Sequence, residues 1–206
     1  MNFSAYARLQ SMVPDPHLIF EILAYTVAFQ VYLRLRKRCG DPVSTGDRWT
    51  VIAAAIGGAA LGSKMLYWLE DPGVTLHYWR SAAYLMGGKT IVGALIGGLV
   101  AIEITKRIYG IRESTGDLFA VPLTIGIAIG RVGCFLTGLP DETSGSPTRL
   151  PWGVNFGDGV ARHPTQLYEI AFVLLLAFVL WRFSPRARRN GDVFKLFMVA
   201  YMGFRV

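Results

Sequence analysis

Two short segments of the chain concentrate the side chains whose types and spacing could do chemistry. One reads Gly-Arg-Val-Gly-Cys-Phe-Leu-Thr-Gly over residues 130–138, and the other reads Arg-His-Pro-Thr-Gln-Leu-Tyr-Glu over residues 162–169. Arginine binds anions through a planar fork of N–H donors, and histidine exchanges protons near neutral pH. Anion binding and proton transfer are therefore the chemistry that Arg131, Arg162 and His163 could do.

The elements that must position these side chains are membrane helices. The chain is 52% hydrophobic and 17% charged, whereas a soluble domain carries about a quarter charged residues. Its apolar blocks match the roughly 17–25 residues that a helix needs to cross a bilayer. The sequence therefore predicts an all-α, polytopic transmembrane helix bundle, with a single domain over residues 1–206. The six predicted spans cover residues 17–35, 49–69, 90–104, 118–139, 164–183 and 193–206.

The extracytoplasmic loop between the fourth and fifth predicted spans is expected to be irregular. It is too rich in proline and glycine to form a helix. Pro164 can begin the fifth span without losing a needed hydrogen-bond donor, and Gln166 and Glu169 then lie one helical turn apart. The two segments are thereby predicted to meet at one depth of the outer leaflet.

The distribution of Lys and Arg predicts the orientation in the membrane. Twelve of these residues fall in the loops after predicted spans one, three and five or in the adjoining helix ends, against five on the other side. Because cytoplasmic loops are enriched in positive charge, the N-terminus is expected outside. The segment before the first span lacks the pattern of a cleavable signal peptide. The net charge of +7 then reflects topology and anionic lipid, and a nucleic-acid partner is not expected.

Cysteine and histidine spacing predicts neither a disulfide nor a metal site. The topology places Cys39 on the cytoplasmic side and Cys134 near the outer end of the fourth span. The histidines, His17, His77 and His163, are scattered along the chain. No metal and no cofactor is predicted from this spacing.

Glycine pairs indicate where helices pack closely. Glycines spaced four residues apart let two helix backbones approach each other in lipid. We expect packing contacts at these positions, with space for a lipid tail or head group as the alternative. The pairs are Gly58 and Gly62, Gly93 and Gly97, and Gly126 and Gly130.

Ionisable side chains within the predicted spans are the third signal. A charge at the bilayer centre costs at least about 2.5–3.5 kcal/mol on insertion scales, so it normally faces protein or water and has a partner. Glu103 lies one turn from Lys106 and is expected to be ion-paired at the cytoplasmic end. Lys64 and Arg131 lie deeper, and we expect them to converge on an interior cavity.

Together these motifs resemble the family of phosphatidylglycerol–prolipoprotein diacylglyceryl transferases. That family carries Gly-Arg-x-Gly-Asn-Phe-x-Asn-Gly-Glu at the end of one span and Arg-His-Pro-Ser-Gln-Leu-Tyr-Glu at the start of the next. The second segment matches over residues 162–169 with Thr165 for serine. Residues 87–98 resemble the family's glycine-rich segment, and residues 201–205 resemble the start of its final span. The counterparts in the first segment are Gly130, Arg131, Gly133, Phe135 and Gly138.

The chain departs from the family pattern at three polar positions. Val92 stands where the family has a characteristic histidine, and Cys134 and Thr137 replace the two asparagines of the signature. The resemblance therefore predicts a divergent member.

Two further departures concern acidic residues and chain length. Leu139 stands at the place of the signature glutamate, for which Asp141 or Glu142 are candidate substitutes. The sequence stops one residue past Arg205, inside the family's final motif, so a truncated member without a seventh span is expected.

The resemblance implies transfer of the diacylglyceryl group of phosphatidylglycerol to the thiol of a lipobox cysteine in a prolipoprotein. The expected setting is the bacterial cytoplasmic (inner) membrane, and the expected partners are the phospholipid and the prolipoprotein signal peptide. Arg131 is implied as a ligand of the lipid phosphate, Arg205 matches a second family arginine, and His163 is the nearest candidate proton carrier.

Structural alternatives stand beside these catalytic roles. Arg131 could instead form an ion pair with Glu169, and His163 could orient the helix that Pro164 begins. Arg162 could bind substrate or extend to lipid head groups.

Four further residues are predicted to bind substrate or to hold the arginines. Gln166 and Glu169 form the polar first turns of the fifth span, and Tyr25 faces the site by its match to the family. Lys64 could contact the phosphate, or pair with Glu21 or with Glu169.

Two other functions stay open from the sequence. A relative that binds phospholipid but uses another acceptor, or does not transfer, is favoured by the missing histidine and asparagines. A small transporter is favoured by the intramembrane charges, although no inverted repeat is evident.

Overall fold

The fold is built mainly from α-helices, as the sequence predicts. A computed structural model describes residues 15–141, 143–184 and 190–205. A 3₁₀ turn, Leu139–Asp141, and the short antiparallel strands β1 (Val154–Asn155) and β2 (Ala161–Arg162) occupy the predicted irregular loop. The helices are α1 (Pro16–Cys39), α2 (Thr45–Glu70), α3 (Pro72–Tyr78), α4 (Ala82–Met86), α5 (Ile91–Tyr109), α6 (Asp117–Thr137), α7 (Thr165–Phe183) and α8 (Asp192–Arg205).

Four helices in the described part of the chain, α1, α2, α6 and α7, are long and apolar enough to cross a membrane. The third predicted span corresponds to α5, which carries Glu103, Lys106 and Arg107 near its C-terminal end. The sixth corresponds to α8, which has 14 residues. The prediction of an all-α polytopic membrane protein is confirmed, and the number of six spans stays a prediction.

The chain divides into two compact units. The first comprises the described parts of residues 1–40 and 116–200, and the second those of residues 41–115 and 201–206. In the first unit, α6 packs against both α1 and α7. Tyr32 stacks on Phe119 with ring centroids 4.6 Å apart, which joins the C-terminal part of α1 to the N-terminal part of α6.

One carboxylate at the start of α6 fixes the start of α8. The Asp117 side chain accepts backbone N–H bonds from Gly191 at 2.6 Å and from Phe194 at 3.0 Å. These are two of the donors that a helix N-terminus leaves without an intrahelical partner. A side chain at Gly116 would meet the Phe194 ring at 2.7 Å, so the chain passes that ring without a Cβ.

Close packing of α2 on α5 holds the second unit together, and it uses the predicted glycines. A Cβ added at Gly62 would lie 2.7 Å from the Gly97 Cα, and one added at Gly97 would lie 2.7 Å from the Gly62 Cα. Gly58 and Gly93 make similarly close backbone approaches. The packing role of these two pairs is confirmed. In the first unit, Gly126 faces Ala28 of α1, whereas Gly130 has open space beside it.

A buried arginine links the start of α2 to the segments before α2 and before α6 through hydrogen bonds. Arg48 is 0% exposed, although the sequence suggested only a cytoplasmic loop charge. Its Nε donates to Asp41 at 2.9 Å, its Nη2 donates to the same carboxylate, and its Nη1 donates to the Thr115 carbonyl at 2.8 Å. A buried charge is tolerated when it is paired and hydrogen-bonded in this way.

Candidate active site

An ion pair between α6 and α7 forms the centre of the site. Arg131 Nη2 lies 2.9 Å from Glu169 Oε2, and the two side chains are 13% and 4% exposed. Arg131 projects from the C-terminal half of α6 and Glu169 from the first turns of α7. The pairing explains how both charges are accommodated in apolar helices. This ion pair is the structural alternative that the sequence predicted for Arg131. The other N–H donors of the guanidinium point to other acceptors.

A glycine brings the N-terminal end of α1 against α6 beside this pair. A Cβ at Gly133 would meet the Phe20 Cβ at 2.7 Å and the His17 Cα at 3.4 Å. The start of α1 is itself capped, because Asp15 accepts the His17 backbone N–H at 3.0 Å. Pro16 occupies the first helical position, where its fixed φ suits the helix. The cap and the glycine together set the position of His17.

The His17 ring lies between two carboxylates. Its Nδ1 is 2.8 Å from Asp141 Oδ1, and its Nε2 is 3.9 Å from Glu21 Oε2. Asp141 belongs to the 3₁₀ turn that follows α6, and its side chain is 7% exposed, against 39% for His17. The arrangement holds the imidazole in one orientation and compensates a positive charge on it.

The Cys134 thiol lies between the histidine and the arginine. Its Sγ is 4.0 Å from His17 Nδ1 and accepts a long N–H contact from Arg131 Nη1 at 3.9 Å. Cys134 is buried, at 8% exposure, one turn after Arg131 on α6. A nucleophilic or metal-binding atom is therefore held beside both a cation and an imidazole.

A hydrogen-bonded chain continues from Asp141 to α7. The Thr143 hydroxyl donates to Asp141 Oδ2, and Gln166 Nε2 donates to the Thr143 Oγ1 at 3.2 Å. Gln166 is 1% exposed, and its Oε1 is buried without a hydrogen-bond partner among the described residues. Buried polar atoms are nearly always paired, so this oxygen marks a place where an additional donor would be stabilised.

The other end of this series of hydrogen-bonded side chains reaches the surface of α1. Tyr25 donates its hydroxyl to Glu21 Oε1 at 3.2 Å, and Tyr25 is 69% exposed. We refer to Tyr25, Glu21, His17, Asp141, Thr143 and Gln166 as the polar chain. It links the exposed face of α1 to the buried first turn of α7.

The loop before α7 holds a second, more exposed group of polar residues. Arg162 Nη1 lies 2.6 Å from Asp158 Oδ2. The pKa of Asp158 is lowered, first by the backbone N–H of Val160 and also by Arg162. This pair stiffens the β1–β2 turn.

The predicted histidine is fixed by the same loop. His163 Nδ1 is 3.2 Å from the Tyr168 hydroxyl, which accepts a bond from Trp152 Nε1 at 2.8 Å. The backbone N–H of His163 donates to the Ser146 carbonyl at 3.1 Å. These contacts give His163 a positioning role in the loop, and its role as a proton carrier stays a prediction.

Lys64 is occupied by the backbone of the second unit. Its Nζ donates to the carbonyl oxygens of Met86 at 2.5 Å and of Gly88 at 2.8 Å, and also to that of Gly87. The ammonium group thus closes the turn that follows α4. Neither predicted carboxylate partner, Glu21 nor Glu169, belongs to this unit.

The predicted site residues therefore fall into three groups. Arg131, Gln166 and Glu169 lie together, and Tyr25 joins them through the polar chain. Arg162 and His163 lie in the loop before α7. Lys64 and the exposed Arg205 belong to the second unit.

The sequence did not single out the residues that complete the first group. In the sequence, His17 stands far from the other histidines, and Cys134 is visible only as a replacement for an asparagine of the family signature. Asp141 carried a usable signal, because it follows the place of the family's glutamate. The separation of His17 from Cys134 by 117 positions hides their contact from any local pattern.

Comparison with known proteins gives one consistent result. The family model described as prolipoprotein diacylglyceryl transferase matches residues 18–206. Relatives named phosphatidylglycerol–prolipoprotein diacylglyceryl transferase from Bordetella avium and Nitratidesulfovibrio vulgaris are each 34% identical, over 195 and 188 residues. These alignments cover 89% and 82% of this chain, and 73% and 67% of the relatives. A relative from Bordetella parapertussis is 33% identical over 165 residues, which cover 76% of this chain and 60% of that protein.

Proposed function

Because this chain belongs to the prolipoprotein diacylglyceryl transferase family, we propose that it transfers a diacylglyceryl group from phosphatidylglycerol to a cysteine thiol of a prolipoprotein. The thiol sulfur attacks the glyceryl carbon next to the phosphate, so a C–S bond forms and the C–O bond of the phosphate ester breaks. Glycerol phosphate leaves with the bonding electron pair, and the thiol proton passes to solvent. The result is a thioether in a lipoprotein precursor.

The observation that carries this proposal is the buried Arg131–Glu169 pair beside Cys134 and His17. The reaction leaves negative charge on the phosphate oxygen, and preorganised donors stabilise such charge best in a site of low dielectric. Arg131 has one nitrogen on Glu169 and another directed towards the Cys134 sulfur at 3.9 Å. A lipid phosphate that replaces this weak sulfur contact would gain a charge-assisted hydrogen bond.

Glu169 and Gln166 prepare Arg131 for that task. The carboxylate holds the guanidinium in one orientation before the lipid arrives, which avoids a reorganisation cost during the reaction. The buried Gln166 Oε1 provides an acceptor next to the same turn of α7. We propose that this oxygen receives a hydroxyl hydrogen bond from the glycerol head group.

Arg162 and His163 act at the edge of the site in this proposal. Arg162 and His163, held by Asp158 and Tyr168, lie where a signal peptide arriving from outside would meet the loop. Arg205 is proposed as a second arginine for the phosphate, by its match to the family motif.

The proposed setting is the bacterial cytoplasmic membrane with the N-terminus outside. Support comes from the concentration of Lys and Arg on one side of the predicted spans. The exposed apolar side chains of α1, among them Leu18 and Ile22, suit contact with lipid acyl chains. In this orientation the acceptor cysteine and the phospholipid reach the site from the outer leaflet.

One alternative is supported by a specific observation. Cys134 stands in the centre of the site where the family signature has asparagine, and Val92 stands in place of the family's histidine. A phospholipid-binding relative with another acceptor would retain Arg131 and Glu169 while changing the groups that handle the thiol.

The test is transfer in vitro by the purified full-length protein in lipid vesicles. We expect label from the diacylglyceryl moiety of phosphatidylglycerol to appear on a lipobox peptide, and not on the peptide with serine for cysteine. Arg131→Gln should lower the rate by about 100-fold or more, the usual cost of removing one preorganised donor. The matched control is Arg80→Gln, because Arg80 is an exposed loop residue lying over Trp79.

Two results would contradict the proposal. One is the absence of transfer by folded wild-type protein with phosphatidylglycerol in excess. The other is an unchanged rate in a folded Arg131→Gln variant. Binding of phosphatidylglycerol without transfer to any thiol would favour the alternative.

A further inference from the structure

Three donor atoms of different kinds converge in the first unit, and the transfer chemistry described above does not use them. His17 Nδ1, Cys134 Sγ and a carboxylate oxygen of Asp141 all lie within 4.8 Å of one another. They come from α1, α6 and the 3₁₀ turn after α6. Cys134 is 8% exposed and the Asp141 side chain 7%, so two of the three donors are held inside the protein.

The spacing of these donors is close to that of a tetrahedral zinc site. Zinc binds nitrogen, oxygen and sulfur at about 2.0–2.3 Å, which places neighbouring ligand atoms about 3.3–3.8 Å apart. The observed separations are 2.8 Å from His17 Nδ1 to Asp141 Oδ1 and 4.0 Å from His17 Nδ1 to Cys134 Sγ. Side-chain adjustments on the order of 1 Å would bring all three atoms into zinc coordination.

The donor set also favours zinc over other common ions. Thiolate and imidazole ligands together select zinc or copper, whereas calcium and magnesium require oxygen ligands. A thiolate and a carboxylate carry two negative charges, which balance a dication. The charge of Arg131, 3.9 Å from the sulfur, is itself paired with the Glu169 carboxylate.

Two of the three donors are supported by a further polar group, as ligands of metal sites usually are. The second ring nitrogen of His17 faces Glu21, which Tyr25 holds by a 3.2 Å hydrogen bond. Metal-bound histidines commonly have a carboxylate in this place. The outer oxygen of Asp141 is bound by the Thr143 hydroxyl.

We propose that His17, Cys134 and Asp141 bind a zinc ion whose fourth position takes the acceptor cysteine of the prolipoprotein as a thiolate. The proposal rests on the transferase function proposed above. Catalytic zinc sites characteristically have three protein ligands and one open position. His17, at 39% side-chain exposure, lies on the accessible side of the cluster, where a substrate thiol could approach.

The metal would supply a means of activating the thiol in a chain that has Val92 in place of the family's histidine. A free cysteine has a pKa of about 8.5 and reacts as its thiolate, and a thiol that coordinates a metal loses its proton outright. The proton passes to solvent, and the zinc-bound sulfur attacks the glyceryl carbon. Zinc stays in the same oxidation state throughout. This mechanism needs no histidine at the position of Val92.

The experiment measures metal on the full-length protein purified through a tag without histidine. We expect about one zinc per chain by elemental analysis, since three ligands form a single site. Replacement of zinc by cobalt should give the thiolate-to-cobalt charge-transfer band and the d–d bands of a tetrahedral ion. Cys134→Ala should abolish the charge-transfer band, and His17→Gln should abolish stoichiometric binding.

Matched control variants distinguish the loss of a zinc ligand from a nonspecific effect of substitution on folding. Cys39→Ala removes the exposed second cysteine, and His77→Gln removes a histidine of α3 in the other unit; both should keep full metal content. Thr143→Ala leaves all three ligands and should weaken zinc affinity by about 10–100-fold, the usual effect of losing an outer hydrogen bond. This milder variant keeps the test informative if a ligand variant does not fold.

The possible outcomes distinguish this proposal from the transferase proposal. Zinc-free protein that transfers lipid at the wild-type rate would overturn the zinc site and leave the transferase function intact. Stoichiometric zinc bound through Cys134 without transfer would support the site and count against the transferase. A wild-type protein that gives no cobalt–thiolate band would show that His17 and Asp141 form only a hydrogen-bonded pair.

Discussion

The two units of the chain differ in the contacts that their cationic side chains make. In the second unit, Arg48 is fully buried and its contacts to Asp41 and Thr115 use all three guanidinium nitrogens. Lys64 likewise directs its ammonium at three backbone carbonyls. In the first unit, Arg131 pairs with Glu169, and another of its nitrogens makes a long contact to the Cys134 sulfur.

The difference separates cations that maintain the fold from those available for chemistry. A guanidinium with all three nitrogens on protein acceptors gains nothing from a ligand and loses much if a partner is removed. Arg131, with a weak sulfur contact at 3.9 Å, can improve its hydrogen bonding when an anion arrives. The unit that contains this exchangeable sulfur contact is therefore the one in which we place the reaction.

The largest expected effect is a loss of stability when Arg48 is replaced. Arg48→Met leaves the Asp41 carboxylate buried without its main partner, so we expect the free energy of unfolding to fall by about 3–5 kcal/mol. Denaturant or thermal unfolding in detergent measures this change. Arg80→Met, in an exposed loop, should alter stability by less than about 0.5 kcal/mol. Equal effects of the two substitutions would remove the distinction drawn between the cations.

An intermediate effect is expected at the carboxylate of the site. Glu169→Gln should destabilise the protein in zwitterionic lipid, because Arg131 loses its charged partner. Added phosphatidylglycerol should restore stability, since its phosphate replaces the carboxylate. A lipid present at 100 times its dissociation constant contributes about 2.7 kcal/mol. Thermal unfolding with phosphatidylglycerol or phosphatidylcholine tests this prediction.

The same lipid titration on Arg48→Met serves as the control for that prediction. Phosphatidylglycerol should stabilise Arg48→Met no more than it stabilises the wild-type protein, because the buried Arg48–Asp41 pair is not accessible to a ligand. A phosphatidylglycerol effect of equal size in Glu169→Gln and in wild type would count against Arg131 as the phosphate ligand.

The smallest effect is expected in the exposed loop. The pKa of Asp158 is lowered first by the Val160 backbone N–H, and then by a hydrogen bond and a Coulomb attraction from Arg162. The stabilisation from Asp158 is present above its ordinary value, about pH 4, and is lost as the pH falls through the lowered pKa. Arg162→Gln removes the contributions of the guanidinium but not that of the Val160 N–H, so the pKa of Asp158 should rise and still stay below its ordinary value. Titration of the Asp158 carboxyl by NMR would show a return to the ordinary pKa if the ion pair were the main cause.

Patterns along the chain predicted the helices and the helix contacts well. Hydropathy located α1, α2, α6 and α7, because a membrane span must be a long apolar run. The small-residue spacing also predicted close packing at Gly62 and Gly97, and the structure shows that α2 and α5 approach each other there. Hydropathy and small-residue spacing can both be read from residues that are close together in the sequence.

The site was predicted only where its residues lie within a motif. The two recognisable segments predict an ion pair of Arg131 with Glu169 as one alternative, and the structure pairs them. His17, Cys134 and Asp141 were not grouped, since their proximity depends on how α1 crosses α6. The partners of Lys64 were also unpredictable, because backbone carbonyls leave no trace in the sequence.

The missing methyl group at Gly133 has a consequence beyond helix packing. The position does no chemistry, yet a Cβ there would lie only 2.7 Å from the Phe20 Cβ, so its absence determines whether α1 can bring its imidazole to the sulfur and the carboxylate. A homologous sequence that kept all three donors but carried a larger residue there would hold them too far apart. A search for proteins sharing this chemistry should therefore screen for the glycine before the ligands.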